Sequence, residues 1–416
     1  MESLATRRAR VFGPNVPTFY RHPLEIVRGE GVWLWDAEGR RYLDAYNNVP
    51  HVGHCHPHVV AAVSAQLGRL DTHSRYLHDG IVSYAERLLA TFEGGLDRVL
   101  FACTGSEAMD VALRMAQAAT GRTGIIATDT TYHGNTAAVS QLSTRRPPLG
   151  GRAAHIRLVA APESGDDAGP FAQSVAEAAA DLHRAGHGVA ALVVCPVFAN
   201  EGLPDLPAGF LDGAADAVRA AGGLVIADEV QPGLGRLGSA MWGHQAMGLA
   251  PDIAVLGKSL GNGHPLAAVV AQAEVLAAFR RAFGYFNTTA ATPVAAAAGS
   301  AVLDAMAEEE LVENAHRSGA ALAAALAPLA QHPGTARVTV RGLMAAVELR
   351  RPDGAPDGSR AEAVVERLKD DGVLIGRIGR HMNVLKIRPP MPFAPDHVAL
   401  LCAALDSALA AASAPA

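Results

Sequence analysis

Two short apolar segments of the chain end in residues that could do chemistry together. The segment LVIA runs into Asp228 and Glu229, and the segment DIAVLG runs into Lys258. Apolar runs bounded by Gly and Pro are typical of buried strands in an α/β sheet, whose ligands bind at the carboxyl ends of the strands. A carboxylate and a lysine at one sheet edge suit pyridoxal phosphate, which needs a lysine for its aldehyde and an acid for its ring nitrogen. A plain ion pair at the strand ends is the alternative.

The same stretch contains a pattern that is typical of dinucleotide binding. Gly233, Gly235 and Gly238 spell G-x-G-x-x-G after the first strand. That fingerprint opens a helix directly, whereas Pro232 and the residues SAMWG after the glycines predict an extended loop. We therefore favour pyridoxal phosphate over a dinucleotide.

Two further loops could contact a bound cofactor. Thr104, Gly105 and Ser106 follow the strand RVLFA, and they place hydroxyls and free N–H groups at a helix N-terminus that suits a phosphate. An ordinary N-cap with Glu107 in the first turn is the alternative. Tyr132, in TYHG after another strand, could stack on a flat ring or simply pack on the domain.

Four histidines lie close together in HVGHCHPH, at positions His51, His54, His56 and His58. Such clusters can bind zinc. Here the spacing does not match a site on one helix face, and no carboxylate is near in the sequence. We expect a loop rich in turn residues before the helix VVAAVSAQL, and no metal site.

Composition limits the class of protein. The chain has 416 residues, of which 50% are hydrophobic and 18% charged, enough for a large and a small domain. A net charge of −6 gives no reason to expect nucleic acid or a membrane as partner, and no stretch nears the roughly 18 apolar residues of a membrane helix. Four scattered cysteines and an N-terminus without an apolar signal core predict a reduced, cytoplasmic protein.

The elements that must position the candidate residues divide the chain into three ranges. Residues 60–295 alternate strands and helices, which predicts a large cofactor-binding domain with a mostly parallel, helix-covered sheet. Residues 1–59 contain a hairpin around the turn AEGR, and residues 296–416 contain helices and strands in another order. We expect the two termini to form one small α+β domain beside the α/β domain.

Five motifs, in their order and spacing, resemble the class III pyridoxal-phosphate aminotransferases of fold type I. They are FACTGSEAMDVALRMA, TYHGNT, ADEVQPGLGRLG, VLGKSLGNGHPLAAVV and VLKIRPPMPF. The likeness spans nearly the whole chain. NNVPHVGHCHP, SRYLHDGIV and NVLKIRPPMPF are similar to a branch that contains alanine–glyoxylate aminotransferase 2-like proteins and amino-phosphate phospho-lyases.

The resemblance implies a role for each matching residue around the cofactor. Lys258 would form the Schiff base and shuttle the proton, and Asp228 would keep the ring nitrogen protonated. The remaining contacts would be made by Gln231 near the ring hydroxyl, Tyr132 stacked on the ring, and Gly105 and Ser106 at the phosphate.

The resemblance also implies substrate contacts and a partner chain. Arg388 would clamp a substrate carboxylate in a bidentate fork, and Tyr20 would also contact the substrate. Thr288 would reach the cofactor phosphate of the partner subunit. That contact requires a homodimer, which could in turn pair into a dimer of dimers.

Two departures from the family pattern bear on function. Ala290 and Ala291 stand where the family commonly has two glycines, so the loop around Thr288 is stiffer. Many ω-aminotransferases use a glutamate that swings to neutralise the carboxylate-binding arginine. Asn200 falls at that place here, with Glu201 beside it, so a switch between two substrates is not assumed.

We therefore expect an enzyme that transfers an amino group from a small-molecule amine or amino acid to a 2-oxo acid or aldehyde. The alternative on the same cofactor is elimination of phosphate from an amino-phosphate such as phosphoethanolamine. That reaction calls for cations beyond the cofactor's own phosphate, and Arg388, Arg75 and Arg236 are the candidates. A cofactor-binding regulatory protein without chemistry is a third hypothesis, against which Lys258 and Asp228 argue.

Overall fold

The structure, a computed structural model, describes residues 2–145 and 147–412. Its strands are β1 (Ile26–Glu30), β2 (Trp33–Asp36), β3 (Arg41–Asp44), β4 (Arg98–Ala102), β5 (Gly124–Thr128), β6 (Ile156–Val159), β7 (Val189–Val194), β8 (Leu224–Asp228), β9 (Ile253–Leu256), β10 (Ala267–Ala271), β11 (Thr335–Arg341), β12 (Met344–Leu349), β13 (Val373–Leu374), β14 (Gly376–Ile378) and β15 (Val384–Ile387). Its helices are α1 (Leu4–Phe12), α2 (Pro57–Leu67), α3 (Asp79–Leu89), α4 (Gly105–Thr120), α5 (Ala168–Arg184), α6 (Asp212–Ala220), α7 (Gly243–Met247), α8 (Ala273–Ala282), α9 (Pro293–Glu308), α10 (Leu311–Leu326), α11 (Gly358–Asp370) and α12 (Pro395–Ala411). Among these helices, none has the length and apolar character needed to cross a membrane.

A seven-stranded sheet forms the centre of the molecule, in the order β4-β10-β9-β8-β7-β5-β6. Strands β5 to β9 run parallel, and β10 runs antiparallel to both β4 and β9. The expected mostly parallel sheet is thus confirmed. Because the parallel strands point the same way, the loops that follow them meet at one edge.

Helices cover both faces of this sheet, and alternate strand residues pack against different helices. On β8, Ile226 packs in one cluster with α4 and α8, whereas Val225 and Ala227 pack in another with α5 and α6. This alternation follows from the period-two direction of side chains along a strand. Strands buried on both faces are continuously apolar, which is why LVIA and IAVL stand out in the sequence.

Two four-stranded sheets lie outside the central one, with the orders β1-β2-β3-β13 and β11-β12-β15-β14. The first contains the hairpin expected around AEGR, formed by β2 and β3, and joins it to the C-terminal part of the chain through the parallel pair β3 and β13. This pairing agrees with a small α+β domain built from both termini. The boundaries after residues 59 and 295 remain predictions, the second of them inside α9.

Candidate active site

A cavity of about 130 Å³ opens where the loops after β4, β5, β8 and β9 meet. Its lining consists of Gly105, Ser106, Tyr132, His133, Gly134, Asp228, Val230, Gln231 and Lys258. The residues expected around the cofactor from within one subunit therefore lie together at the carboxyl edge of the sheet. Their individual roles remain predictions, which the contacts below support.

The first turn of α4 forms one wall of the cavity. The Thr104 hydroxyl caps the helix by accepting a hydrogen bond from the Glu107 backbone N–H at 3.1 Å, and Gly105 and Ser106 line the cavity. Gly134 lies so close that a Cβ added to it would come within 2.8 Å of Ser106, and its φ of +147° favours glycine. The result is a narrow pocket with free N–H groups and the positive end of a helix dipole, which suits a phosphate.

Asp228, the last residue of β8, is buried and held by two donors. His133 Nδ1 donates to Asp228 Oδ2 at 2.6 Å, and the Val230 backbone N–H donates to Oδ1 at 3.0 Å. The Thr131 hydroxyl lies 3.2 Å from the other ring nitrogen of His133. A carboxylate fixed in this way can pair with a cationic ring nitrogen. Sequence reasoning gave no role to His133, whose signal is its place after Tyr132 in TYHG.

Lys258 follows β9 and has a positive φ of 41°. A non-glycine residue in this region carries backbone strain, which is common at functional sites. Burial, and then the positive charge of Arg388, lower the pKa of Lys258 to about 8. Because the neutral amine is the nucleophilic form, this lysine is suited to react with an aldehyde.

Together these features fit pyridoxal phosphate. The wall at Gly105 and Ser106 suits its phosphate, Lys258 its aldehyde and Asp228 its ring nitrogen. Tyr132 lines the same cavity with 46% of its surface exposed, so it has a ring face available for stacking.

Gln231, on the opposite side of the cavity, joins two buried cations. Its side-chain oxygen accepts hydrogen bonds from Lys386 Nζ at 2.7 Å and from Arg388 Nη1. Lys386 Nζ also donates to the Ala199 carbonyl at 2.8 Å, and Arg388 Nε donates to the Tyr46 carbonyl at 3.3 Å. Lys386 is 3% exposed and Arg388 6% exposed, so both charges are shielded from water. Sequence reasoning named Arg388 but missed Lys386, which lies two residues earlier, on β15.

Arg145 is the third cation of this region, and we call Arg145, Lys386 and Arg388 the cation cluster. Arg145 donates to the carbonyls of Thr130 at 2.8 Å and Asn200 at 2.6 Å. No member of the cluster forms an ion pair with a carboxylate in the part of the chain that the structure describes. Burial lowers the pKa of all three, and Arg388 depresses the pKa of Lys386 further, well below its ordinary value.

Glu201, next to the position of the switching glutamate, is engaged elsewhere. Its Oε1 accepts from the Thr128 hydroxyl at 2.8 Å, and its Oε2 accepts from the Asn200 backbone N–H at 3.0 Å. It lines a separate cavity of about 340 Å³, in which Arg337 and Arg350 pair with Glu348. The Asn200 side chain accepts from Gln231 Nε2 at 2.8 Å and donates to the Tyr132 carbonyl at 3.0 Å.

Two expected site residues lie outside the cavity of their own chain. Thr288 is exposed on the loop between α8 and α9, so its contact with a partner's cofactor stays a prediction. Tyr20 is partly buried near Asp44 and Tyr46, and burial, followed by the charge of Asp44, raises its pKa. Its contact with substrate also stays a prediction.

The two further arginines proposed for a substrate phosphate differ from each other. Arg236 is fully buried and donates to the carbonyls of Leu343 at 3.1 Å and Pro389 at 2.7 Å. It also contacts His51 Nδ1 at 3.2 Å, so it ties the loop after β8 to the segment after β15. Burial and these contacts argue against Arg236 as a cation for a substrate phosphate. Arg75 is exposed and lies 3.9 Å from the centre of the Phe286 ring, outside the cavity.

The four clustered histidines have separate partners. His51 Nε2 donates to the Leu234 carbonyl at 2.6 Å, and His54, His56 and His58 contact Asp44, Glu309 and Asp304, respectively. Within residues 2–145 and 147–412, no group of three His, Cys, Asp or Glu side chains is arranged to hold a metal ion. Each of the four contacts is a structural one, and the absence of bound metal in solution stays a prediction.

This chain is similar to known proteins over nearly its whole length. The family model described as aminotransferase class-III matches residues 17–409. A Drosophila melanogaster protein described as alanine–glyoxylate aminotransferase 2-like is 37% identical over 94% of this chain and 83% of its own length. A solved phospholyase from Arthrobacter, in complex with phosphoethanolamine, is 44% identical with a TM-score of 0.95 and covers 99% of this chain and 100% of its own. An ω-transaminase from Pseudomonas jessenii, in complex with PMP, is 26% identical with a TM-score of 0.87 over 99% of this chain and 98% of its own.

Proposed function

Because the chain belongs to the class-III aminotransferases, whose cofactor is pyridoxal phosphate, we propose that this enzyme eliminates phosphate from a small amino-phosphate such as phosphoethanolamine. The sequence motifs alone favoured transamination as the commoner reaction of the family. The cation cluster and the position of Glu201 change that preference.

The observation that carries the proposal is that, among residues 2–145 and 147–412, no carboxylate pairs with Lys386 or Arg388. Their shared acceptor is the neutral side chain of Gln231, and Glu201 is bound to Thr128 instead. A transaminase that alternates between substrates with and without a distal anion must neutralise its cation in one half of the cycle. A site whose cations stay uncompensated is better suited to one substrate that always carries an anion.

The comparisons support the same choice. The Arthrobacter phospholyase shares 44% of its residues with this chain, whereas the Pseudomonas ω-transaminase shares 26%. Both have the same fold, so the difference between them must come from the residues of the site and not from the architecture.

The chain's own residues can perform the first step of this reaction. When bound, pyridoxal phosphate supplies an electron sink for the pair released as the bond to hydrogen breaks at the amine-bearing carbon. Because its pKa is lowered to about 8, a fraction of Lys258 is the neutral amine, which takes that proton. Asp228, oriented by His133, keeps a proton on the ring nitrogen. Gly105 and Ser106 hold the cofactor phosphate and so fix the ring against Tyr132.

The second step breaks the bond between the neighbouring carbon and the phosphate oxygen. The electron pair leaves with inorganic phosphate, and Lys386 and Arg388 stabilise the charge on that leaving group. Lys258 returns its proton to the carbon that lost the phosphate, and the two-carbon remainder then takes up one water and is released as acetaldehyde and ammonia. No oxo acid is consumed, and the free lysine can start another cycle.

Transamination is the second candidate, and Arg388 is the observation that favours it. A guanidinium can bind an amino-acid carboxylate in a bidentate fork, and both substrates of such a reaction could carry that carboxylate. In this case an amino donor alone would convert the cofactor to its amine form, and a 2-oxo acid would restore it.

The deciding experiment incubates the holoenzyme with phosphoethanolamine in the absence of any oxo acid. We expect release of inorganic phosphate and acetaldehyde in equal amounts over many turnovers, while amino acids leave the cofactor absorbance unchanged. If a panel of amino acids converts the cofactor and phosphoethanolamine releases no phosphate, the enzyme is a transaminase and the proposal fails.

We also propose that the enzyme is a homodimer in which Thr288 contacts the cofactor phosphate of the partner subunit. The exposed position of Thr288 supports this assignment. Mixing Thr288→Ala subunits with Lys258→Ala subunits should restore part of the activity, because both lesions then share one site and the other site is intact. Confirmed heterodimers without any recovery would contradict a contact between subunits.

A further inference from the structure

The side-chain oxygen of Gln231 occupies an unusual position between two buried cations. Lys386 Nζ lies 2.7 Å from it, and Arg388 Nη1 also donates to it. Buried charges are normally paired with an opposite charge, because a neutral acceptor compensates only part of the lost hydration. Lys386 and Arg388 therefore have hydrogen-bond acceptors, but their shared acceptor carries no negative charge to compensate theirs.

The other contacts of this group show which part of it can move. Lys386 is also held by the Ala199 carbonyl, and Arg388 by the Tyr46 carbonyl, so each cation has a backbone partner that stays in place. Within the described part of the chain, the Gln231 amide is held only by side chains: the two cations and, through its Nε2, Asn200 Oδ1 at 2.8 Å. Gln231 also lines the cofactor cavity, so its amide can leave the cations without any movement of the backbone.

We propose that the Gln231 side-chain oxygen is a placeholder for the phosphate dianion of the substrate, which displaces it from Lys386 and Arg388. The proposal rests on the proposed function, since it assumes an anionic substrate, and it adds the site that binds the anion and the residue that vacates it. Lys386 thereby becomes a specificity-determining residue, to which nothing in the sequence motifs gave a role.

The exchange is favourable for a dianion in particular. Charge-assisted hydrogen bonds are roughly twice as strong as those to a neutral amide, and a phosphate offers separate oxygens to the ammonium and the guanidinium. Two cations compensate two negative charges, whereas a carboxylate would leave one cation uncompensated. The pair therefore selects a phosphate over a carboxylate of similar size.

Displacement also accounts for the second position expected of Gln231. Its backbone lies in the cavity wall between Val230 and the loop that follows, and the resemblance to the family placed its side chain near the cofactor ring. With the anion bound, the amide is free to reach the ring. Binding of the substrate phosphate would then be linked to the contacts of the cofactor ring through the Gln231 side chain.

The test measures binding of inorganic phosphate to the holoenzyme by isothermal titration calorimetry, at a pH at which the dianion predominates, which for inorganic phosphate lies about one unit higher than for a phosphate ester with its second pKa of about 6. Filling the cofactor site first keeps the added phosphate from binding at Ser106. Gln231→Glu places a permanent carboxylate between the cations, so we expect phosphate affinity to fall at least about tenfold. Gln231→Ala removes the placeholder, so affinity should stay equal or rise a few-fold. The control Gln173→Glu, on the exposed face of α5, adds the same charge elsewhere and should change nothing.

Two further measurements make the outcome decisive. Gln231→Glu should raise the melting temperature, because it gives buried cations a counter-charge, and acetate should bind the wild type at least about tenfold more weakly than phosphate. Unchanged phosphate affinity in Gln231→Glu would overturn the placeholder, and so would an equal loss in Gln231→Ala, which would make Gln231 a ligand of the anion.

The same titration separates failure of this inference from failure of the proposed function. Lys386→Met and Arg388→Met should each weaken phosphate binding. If they do so while the two Gln231 variants behave alike, the anion site stands and only the placeholder is wrong. If neither cation matters and phosphoethanolamine is not turned over, the proposed function itself is wrong.

Discussion

The buried charged side chains on the two sides of the cavity have different kinds of hydrogen-bond partner. On the side expected to hold the cofactor, Asp228 is held by His133 and a backbone N–H, and its proposed partner is the ring of a cofactor that stays bound through every turnover. On the side proposed for the substrate, Lys386 and Arg388 share the neutral side-chain oxygen of Gln231. A carboxylate that pairs with a permanently bound cofactor can be fixed in place by the protein. Cations that bind an exchanging substrate instead need an acceptor that the substrate can displace.

Arg236 shows that burial alone does not mark a substrate contact. Like Arg388 it is buried and pairs with no carboxylate among the described residues, but two of its hydrogen bonds go to backbone carbonyls. Carbonyls in the packed interior cannot leave, so this arginine holds two segments together. The kind of acceptor, and whether it can be displaced, distinguishes the two arginines.

The largest effect should come from the cofactor side, with Lys258→Ala. Loss of the residue that binds the aldehyde and moves the proton should lower turnover by at least about 10³-fold, which corresponds to several kcal/mol of barrier. The visible absorption of cofactor attached to the lysine should disappear as well. Lys369→Ala is the control, since Lys369 is a buried lysine that pairs with Glu366 and Asp370. Normal turnover of Lys258→Ala would remove the central assignment.

Asp228→Asn should have the next largest effect. The neutral amide cannot hold a proton on the ring nitrogen, so we expect kcat to fall about 10²-fold or more with cofactor still bound. The matched control is its neighbour Glu229→Gln. Glu229 accepts hydrogen bonds from the backbone N–H groups of Gly243 and His244 and from the His244 ring, all within 2.8 Å. Its loss should cost roughly 1–3 kcal/mol of stability but leave kcat unchanged. A fall in kcat in Glu229→Gln with unchanged kcat in Asp228→Asn would assign the ring nitrogen to Glu229 instead of Asp228.

A smaller effect should link the two sides through the pKa of Lys258. In the apoenzyme, Lys258 reacts with the cofactor as a neutral amine. The rate of reconstitution should therefore rise with pH through a midpoint of about 8, and not through the ordinary lysine pKa of 10.5. Arg388→Met removes a positive charge that disfavours the protonated lysine, so the midpoint should move to higher pH. Arg367→Met, on α11 and paired with Asp371, should leave the midpoint in place. An unshifted midpoint in Arg388→Met would show that the two sides are electrostatically independent.

The smallest effect should be on stability, and it should favour the variant. Lys386→Met replaces a buried, uncompensated cation by an apolar side chain, which should raise the free energy of unfolding by about 1 kcal/mol near neutral pH. The folded-state pKa of Lys386 is lowered, so the unfolded chain binds more protons below the ordinary lysine pKa. Wild-type stability should therefore rise as pH increases toward that value, and the variant should lack this contribution. Denaturant unfolding of the apoprotein near neutrality and about two pH units higher checks both points. A destabilised variant would make Lys386 a structural cation.

The sequence by itself determined the sheet and the cofactor side of the site. Asp228 and Lys258 end short apolar strands, Gly105 and Ser106 open a helix directly after a strand, and the hairpin at residues 33–44 follows its turn. Each of these features depends on neighbours within a few residues. Local patterns therefore reveal them, and parallel strands bring their ends to one edge without further information.

Only the tertiary structure decided the side proposed for the substrate. Arg145, Asn200, Gln231 and Lys386 come from four distant parts of the chain, and no local pattern predicts that Lys386 and Arg388 share one amide oxygen. The same holds for Arg236, which the sequence suggested as a phosphate contact and the fold buries against carbonyls. Whether a charged side chain is free for a ligand depends on which acceptors packing brings within about 3 Å, and that distance is set by the assembled fold.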